Sequence, residues 1–505
     1  MNFKGVERIK KTPAIMFQGT GSSVGKSIIV AGLCRLFRRN GISVAPFKPQ
    51  NMSNNAAATL DGGEIGRAQA MQAIASGLEP SILHNPILLK PQSERGSQLI
   101  INGKFDRSVS GFEYQKIKGS LMPYVEKAFL NLSAKHDLIL VEGAGSPAEI
   151  NLRDGDIANM GFATKLSIPT IIIGDIDRGG VIASLVGTKA VLDSVDNKNL
   201  IGFIINRFRG DPKLFKSGIS EIEKRTHWKF LGLVPYYDDI HKLPAEDSHD
   251  LEKIFISNIN SDAILSISVP ILSKISNFDD LDPLRNQKNI NINYVRPGNS
   301  IPKDTDIILL LGSKSTISDL KQLRENKWDK QIKIHHENNG VIIGLCGGYQ
   351  MLGKFINDNE KVESSVKVTK GLELLDVETE MINSKIVTKI NGIHIETNKK
   401  MVGYEIHIGR THGKDCERPL FVIDNKYDGA QSANGRVFGT YVHGIFHNNH
   451  LIEWLFRITN KSIDGNEIDD YEKILDQALN DLADHLEKHI SWKSILDLSK
   501  NYTKQ

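Results

Sequence analysis

Short apolar runs recur along the chain, each ending in a polar exit rich in glycine, acids or amides. Runs of this length, dense in Ile, Leu and Val and lacking alternation, read as strands buried on both faces of a parallel sheet. In the first half they are Ala14–Gln18, Ile42–Phe47, Asp137–Val141, Thr170–Gly174, Leu200–Ile205 and Phe230–Val234. Helically spaced segments separate them, such as Val24–Arg39, which Gly41 punctuates. This β-loop-α repetition predicts an α/β fold with a doubly wound parallel sheet. Residues 235–260, with Pro235, Pro244 and an acidic cluster, read as a connection. A second α/β unit then follows, with strands at Asp262–Val269, Asn291–Val295, Asp306–Leu311 and Val341–Ile343. Near the end, Leu475, Leu479, Leu482 and Leu486 recur at helical spacing in a charged background, predicting a short helical appendage. The predicted division is a first domain over 1–234, a linker over 235–260, a second domain over 261–458 and an appendage over 459–505.

Composition changes this picture mainly by exclusion. A chain of 505 residues has ample length for separate cores. Lys+Arg total 63 against 60 for Asp+Glu, without a long run of either sign, so nucleic acid is not indicated as a partner. The three cysteines, Cys34, Cys346 and Cys416, form neither a disulfide framework nor a Cys-x-x-Cys metal spacing. Cys34 sits in an apolar helical pattern and reads as core, and Cys416 falls in a polar loop. The N-terminus shows no secretory h-region. No apolar run approaches the roughly 18 residues of a membrane-spanning helix. The expectation is a cytoplasmic enzyme without membrane association. Oligomeric state is not readable.

The polar exits carry the candidate chemistry. After the first strand comes Gly19-Thr20-Gly21-Ser22-Ser23-Val24-Gly25-Lys26-Ser27. A glycine-rich loop between strand and helix presents backbone N–H groups and the helix dipole to phosphates. Lys26 is placed to reach the outer phosphates of ATP, and the Ser27 hydroxyl to bind Mg²⁺. Glu142, at the end of a buried strand, is the first choice for a second Mg²⁺ ligand; Asp175 and Asp177 remain alternatives. Asn206, at the exit of another strand, is placed to read a nucleotide base edge. The amide-dense stretch Lys48-Pro49-Gln50-Asn51-Met52-Ser53-Asn54-Asn55 lies at a strand's carboxyl end, where ligands bind in open α/β sheets. Gly63–Ala70 is expected to start a helix with Glu64 in its first turn, and Asp154 or Asp156 to cap the helix Ile157–Lys165.

In the second half, Val341-Ile342-Ile343 runs into Gly344-Leu345-Cys346-Gly347-Gly348-Tyr349-Gln350. Strand, sharp turn and helix form the geometry that lifts a nucleophile off a sheet edge, and a helix N-terminus favours the thiolate. A strand-like run later delivers His443, the minimum partner for a thiol nucleophile. His407 lies on an alternating strand and reads as a packing residue.

These residues resemble known families. Gly344, Cys346, Gly348 and Gln350, with the late Val442-His443-Gly444, are similar to the type 1 glutamine amidotransferases. The resemblance implies that Cys346 attacks the glutamine side-chain amide and His443 is the base. It implies that backbone N–H groups at Gly347 and at a loop beginning with Gly312 form the oxyanion hole, and it places Gln350 in the glutamine site. That family usually carries a glutamate two residues after the histidine; this chain has Ile445, so what orients His443 is left open. The phosphate loop, one residue longer than the usual Walker A, resembles that of dethiobiotin synthetase and its relatives. Lys48–Asn55, Gly63–Gln69, Val141–Ser146, Gly174–Gly180 and Asn206–Asp211 together resemble the glutamine-hydrolysing cobyrinic and cobyric acid amidoligases, on the cobyric rather than the a,c-diamide side.

The implied fold is a P-loop doubly wound domain followed by a flavodoxin-like α/β amidotransferase domain. The implied activity is ATP-driven amidation of corrinoid carboxylates with L-glutamine as nitrogen donor. Gln50, Asn51 and Asp175, with the cations Lys48, Arg67, Lys90, Arg178 and Arg207, are then candidate corrin contacts. The alternatives are an a,c-diamide synthase or other amidoligase of the same build, and a P-loop ATPase switch with an inactive amidotransferase domain.

Overall fold

The computed structural model describes residues 12–91, 96–244 and 260–500. Most of the predicted connection, with its acidic cluster, lies outside the described residues. Contacts divide the chain into two compact units. The first comprises Met1–Ser53, Ile65–Leu243 and Asp476–Gln505; the second comprises Asn54–Glu64 and Pro244–Leu475.

In the first unit, β1 (Ala14–Gly19), β2 (Val44–Phe47), β3 (Leu138–Glu142), β4 (Thr170–Asp175), β5 (Leu200–Phe208) and β6 (Lys229–Pro235) form one sheet. Its order is β6-β5-β4-β1-β3-β2, and every neighbouring pair is parallel. β1, β3 and β4 are buried along their whole length, which explains their continuous apolar runs. On one side of the sheet Phe47, Phe129 and Phe162 pack as a triangle with centroids 5.5 to 5.6 Å apart. The register sets Phe17 opposite Glu142 and Asp175 opposite Asn206, so the polar residues collect at the carboxyl ends of the strands.

Helix α1 (Lys26–Arg39) follows the phosphate loop. Helices α2 (Tyr471–His489) and α3 (Trp492–Ser499) fall in the stretch 459–505 expected as an appendage, which the contacts divide at residue 476 between the two units; Leu479, Leu482 and Leu486 are buried. From residue 476 onward they pack on α1. A Cβ on Gly32 would lie 2.5 Å from Leu486 Cδ1, Arg35 Nη1 meets Asp476 Oδ1 at 2.7 Å, and Phe37 lies edge-on to Trp492.

Local readings shift in three places. Gln50–Met52, expected as part of a loop, is a short strand parallel to Ile87–Pro91, so its backbone amides are satisfied by a sheet. Glu64 is not in a helix: Glu64–Gly66 is extended, Gly66 has ψ 140, and the helix starts at Arg67. The cap expected from Asp154 or Asp156 comes from Asp156. Its Oδ1 accepts from Ala158 N at 2.8 Å and its Oδ2 from Gly161 N at 2.8 Å, and the helix itself runs Met160–Leu166.

In the second unit, β7 (Leu265–Pro270), β8 (Ile290–Val295), β9 (Ile307–Leu310), β10 (Val341–Leu345), β11 (Ala430–Gln431) and β12 (Val437–Thr440) form a sheet of order β8-β7-β9-β10-β12-β11. All pairs are parallel except the edge strand β11. A long antiparallel ribbon, Glu378–His394 with Lys399–His412, adds a second sheet. Val442–His443 joins its edge, with Tyr404 opposite His443. No helix among the described residues is long and apolar enough to cross a membrane.

Candidate active site

Cys346 leaves β10 with φ 52 and ψ −109, and the helix Gly347–Leu352 begins at once. A side chain at positive φ stores strain, and such strain concentrates at functional turns. The turn admits only glycine beside it: a Cβ at position 348 would lie 2.1 Å from Leu310 O, and one at position 344 would lie 2.6 Å from Leu352 Cδ1. The thiol is nearly buried, with Sγ 3.6 Å from the Ile406 carbonyl.

His443 is fully buried, and its Nδ1 lies 2.7 Å from Asp280 Oδ2. The other Asp280 oxygen accepts the Gly444 N–H at 2.6 Å. Burial alone disfavours a charged ring, but the adjacent Asp280 carboxylate outweighs it. With a further contribution from the Cys346 thiol, the His443 pKa is pushed up to about 10. His443 Nε2 makes no hydrogen bond among the described residues. The Tyr404 ring stacks on His443 at 5.3 Å and 18°.

Asp280 is the orienting residue the sequence reading left open. It sits in the turn Phe278–Leu281, brought to the site because Ile275–Ser276 pairs with Gly312–Ser313. The available signal was Asp279-Asp280 beyond the carboxyl end of a parallel strand.

The Gly312–Ser313 strand lies against the elbow. A Cβ on Gly347 would be 2.8 Å from Ser313 N, and one on Gly312 would be 3.1 Å from His443 Cε1. The Gly347 N–H is in the first helical turn, where no intrahelical acceptor exists. Asp319 Oδ2 braces this loop by accepting from Ser313 Oγ at 2.6 Å; burial, opposed by its hydrogen bonds, pushes the Asp319 pKa up to about 6. Gln350 is buried and engaged internally: its amide donates to Ile408 O at 2.8 Å and to the Tyr441 hydroxyl at 3.2 Å, and accepts from Thr316 Oγ1 at 2.9 Å. His407 stacks on Tyr441 with centroids 3.8 Å apart. His447 is half-buried, its ring edge-on to Tyr471.

The first unit builds a separate site around the phosphate loop. Thr20 N donates to Ile173 O at 2.9 Å, and Lys26 Nζ reaches Gly21 O at 2.9 Å and Gly145 O at 3.1 Å. Gly25 has φ 93, and a Cβ there would lie 2.3 Å from Asn206 Nδ2. Asn206 Nδ2 donates to Val24 O at 2.9 Å, tying β5 to the loop. Ser27 Oγ donates to Glu142 Oε1 at 2.8 Å, Lys48 Nζ meets the same oxygen at 2.8 Å, and Gln72 Nε2 donates to Glu142 Oε2 at 2.6 Å. Glu142 is fully buried.

The remaining candidates fall into other groupings. Asp175 pairs with Arg207 at 2.7 Å and lies 3.9 Å from the exposed Arg178. Asn51 donates to Gln69, and Gln50 accepts from the Tyr114 hydroxyl. Lys90 is buried on Ile87–Pro91, and Arg67 opens the helix Arg67–Ser76. Among the described residues no group of three or more His, Cys, Asp or Glu could hold a metal ion. Cys34 is core, and burial pushes its thiol up to about 12.

A strained cysteine elbow with a carboxylate-braced histidine on one α/β unit, and a phosphate loop on another, define a glutamine amidotransferase joined to a P-loop nucleotide-binding unit. The family model described as CobB/CobQ-like glutamine amidotransferase domain matches residues 266–451. The model described as CobQ/CobB/MinD/ParA nucleotide binding domain matches residues 15–251. A cobyric acid synthase of Cereibacter sphaeroides is 49% identical over 492 residues, 97% of this chain and 100% of that protein. One of Rhizobium johnstonii is 49% identical over 477 residues, 94% of this chain and 96% of its own. One of Rhizobium rhizogenes is 50% identical over 476 residues, 94% of this chain and 97% of its own. The chain belongs to the cobyric acid synthase family.

Proposed function

We propose that this chain amidates the b, d, e and g carboxylates of adenosylcobyrinic acid a,c-diamide to give adenosylcobyric acid, using glutamine as nitrogen source and ATP as driving force. The observation that carries the nitrogen-donor half is the Cys346–His443–Asp280 alignment. Asp280 orients His443 through Nδ1 and stabilises its imidazolium, which pairs with the Cys346 thiolate once the thiol proton resides on Nε2. Sγ attacks the glutamine amide carbon, and the oxyanion is met by backbone N–H groups at Gly347 and the Gly312–Ser313 strand. One such donor is typically worth about 3 kcal/mol in the transition state. His443 then protonates the leaving ammonia, and water hydrolyses the glutamyl thioester.

The acceptor half requires activation, because a carboxylate is a poor electrophile. Transfer of the γ-phosphoryl group makes an acyl phosphate that ammonia displaces. Lys26 and the loop amides stabilise the charge on the transferring group. Ser27 Oγ and Glu142 Oε1, buried and 2.8 Å apart, are hard oxygen donors that suit Mg²⁺. Bound there, the ion would neutralise phosphate charge. Asp175 and Asp177 pair with Arg207 and Arg209, and Glu142 pairs with Lys48; the direct contact of Glu142 with Ser27 favours it for this role. The corrinoid carboxylates are candidates to meet Lys48, Arg67, Lys90, Arg178 and Arg207. All three cysteines are free thiols, which fits a reducing, cytoplasmic setting.

The test uses Cys346→Ala with ATP, Mg²⁺ and the a,c-diamide substrate. Loss of glutamine-dependent amidation with ammonium-dependent amidation retained supports the two-site reading. A wild-type chain that releases no glutamate and forms no amide would leave the ATPase-switch alternative standing instead.

A further inference from the structure

Residues 54–64 fall in sequence between two stretches of the phosphate-loop unit, yet they belong to the amidotransferase unit. Asn55 to Ala58 are buried, and Ala56–Ala58 is extended. Backbone and amide groups buried in this way require partners, and the partners they find surround the glutamine site. The Ala56 carbonyl accepts from Asn277 Nδ2 at 3.1 Å. The same nitrogen lies 3.1 Å from the Tyr404 hydroxyl, which donates to Asp279 Oδ2 at 2.9 Å. Asn277 has φ 54 and opens the turn that carries Asp280. On the other side, Asn54 Oδ1 accepts from Lys314 Nζ, one residue beyond the Gly312–Ser313 strand. Glu64 pairs with Lys385 on the ribbon strand facing the one that carries Tyr404.

We propose that Asn54 and the Ala56 carbonyl are positioning elements of the glutaminase site. The Ala56 carbonyl holds Asn277, and so fixes both the turn that presents Asp280 and the Tyr404 ring over His443. Asn54 holds Lys314, and so fixes the strand whose amides face the oxyanion. Each acts indirectly, Asn54 through Lys314 and the Ala56 carbonyl through the turn that braces His443. The inference rests on the glutamine-amidotransferase reading. It also means that a second-half fragment lacking residues 54–64 would have an incomplete site.

The test compares full-length wild type, Asn54→Ala, Asn54→Asp and Asn277→Ala. Two rates are read: glutamate release from glutamine, and amidation driven by ammonium with ATP and Mg²⁺. A catalytic constellation misplaced by a fraction of an ångström loses rate rather than affinity. Asn54→Ala and Asn277→Ala are therefore expected to lower kcat for glutamine hydrolysis by roughly 10- to 100-fold, on the scale of a misplaced catalytic group. KM for glutamine and the ammonium-driven rate are expected to hold. Asn54→Asp keeps an acceptor for Lys314 and is expected to restore kcat. The proposal is overturned if Asn54→Ala hydrolyses glutamine at the wild-type rate, if both rates fall in parallel, or if Asn54→Asp fails to rescue. A wild type that releases no glutamate would overturn the amidotransferase reading itself, and this proposal with it.

Discussion

Asp280 grips the His443 segment with both carboxylate oxygens, Oδ2 on the ring Nδ1 at 2.7 Å and Oδ1 on the Gly444 N–H at 2.6 Å. The position two residues after the histidine, where amidotransferases of this type usually carry a glutamate, holds the buried Ile445. The carboxylate that meets the histidine comes instead from the turn Phe278–Leu281. An asparagine at 280 has one acceptor oxygen for two donors, so its amide nitrogen must face either the ring N–H or the Gly444 N–H. Asp280→Asn is therefore expected to lower kcat for glutamine hydrolysis by roughly 10²- to 10⁴-fold, as loss of the tautomer-fixing carboxylate does in serine-protease triads. Ammonium-driven amidation should persist. Glutamate-release kinetics beside an ammonium-driven assay check it, and a wild-type kcat in the variant would contradict it.

The same pair makes stability depend on pH. Against burial, Asp280 raises the His443 pKa from 6.5 to about 10. A raised native pKa means the folded state binds the proton more tightly. That contribution is complete below about pH 6.5 and is lost as pH rises through about 10. Thermal midpoints measured from pH 7 to 10 should fall more steeply for wild type than for His443→Asn. Parallel curves would show that the buried pair does not carry this proton.

Much of this was legible because the signals are local. The parallel strands announce themselves as apolar runs, since both faces are buried, and the cysteine elbow and phosphate loop need glycines at fixed offsets. The spacing of Leu479, Leu482 and Leu486 marks a helix face that is indeed buried. What was not legible depends on distant pairing. Asp280 reaches His443 only because Ile275–Ser276 pairs with Gly312–Ser313, and no spacing rule connects those segments. Residues 54–64 look like any polar strand exit; which unit they join is decided by Asn277, Lys314 and Lys385, all far along the chain. Gln350 sits within the motif, but its role as an internal tie between Thr316, Ile408 and Tyr441 is visible only in three dimensions.

Glu142 and Lys48 offer the clearest separation of the two half-reactions. The carboxylate is fully buried and accepts from Ser27, Lys48 and Gln72, while the Lys48 side chain is 5% exposed. Replacing one member of a buried pair leaves the opposite charge without its counter-ion and typically costs about 3–5 kcal/mol. Replacing both members so that neither charge remains removes that penalty. Glu142→Gln should therefore destabilise the chain more than the double variant Glu142→Gln/Lys48→Met, with a coupling of about 1–3 kcal/mol in a denaturation cycle. Both variants lose the carboxylate charge beside Ser27 at the phosphate site. Both are expected to lose ATP-driven amidation by on the order of 100-fold, whether nitrogen comes from glutamine or ammonium, while Cys346 still releases glutamate. The double variant is the decisive one, because its fold is relieved of the unmatched charge. If it amidates at the wild-type rate, Glu142 has no part in phosphoryl transfer.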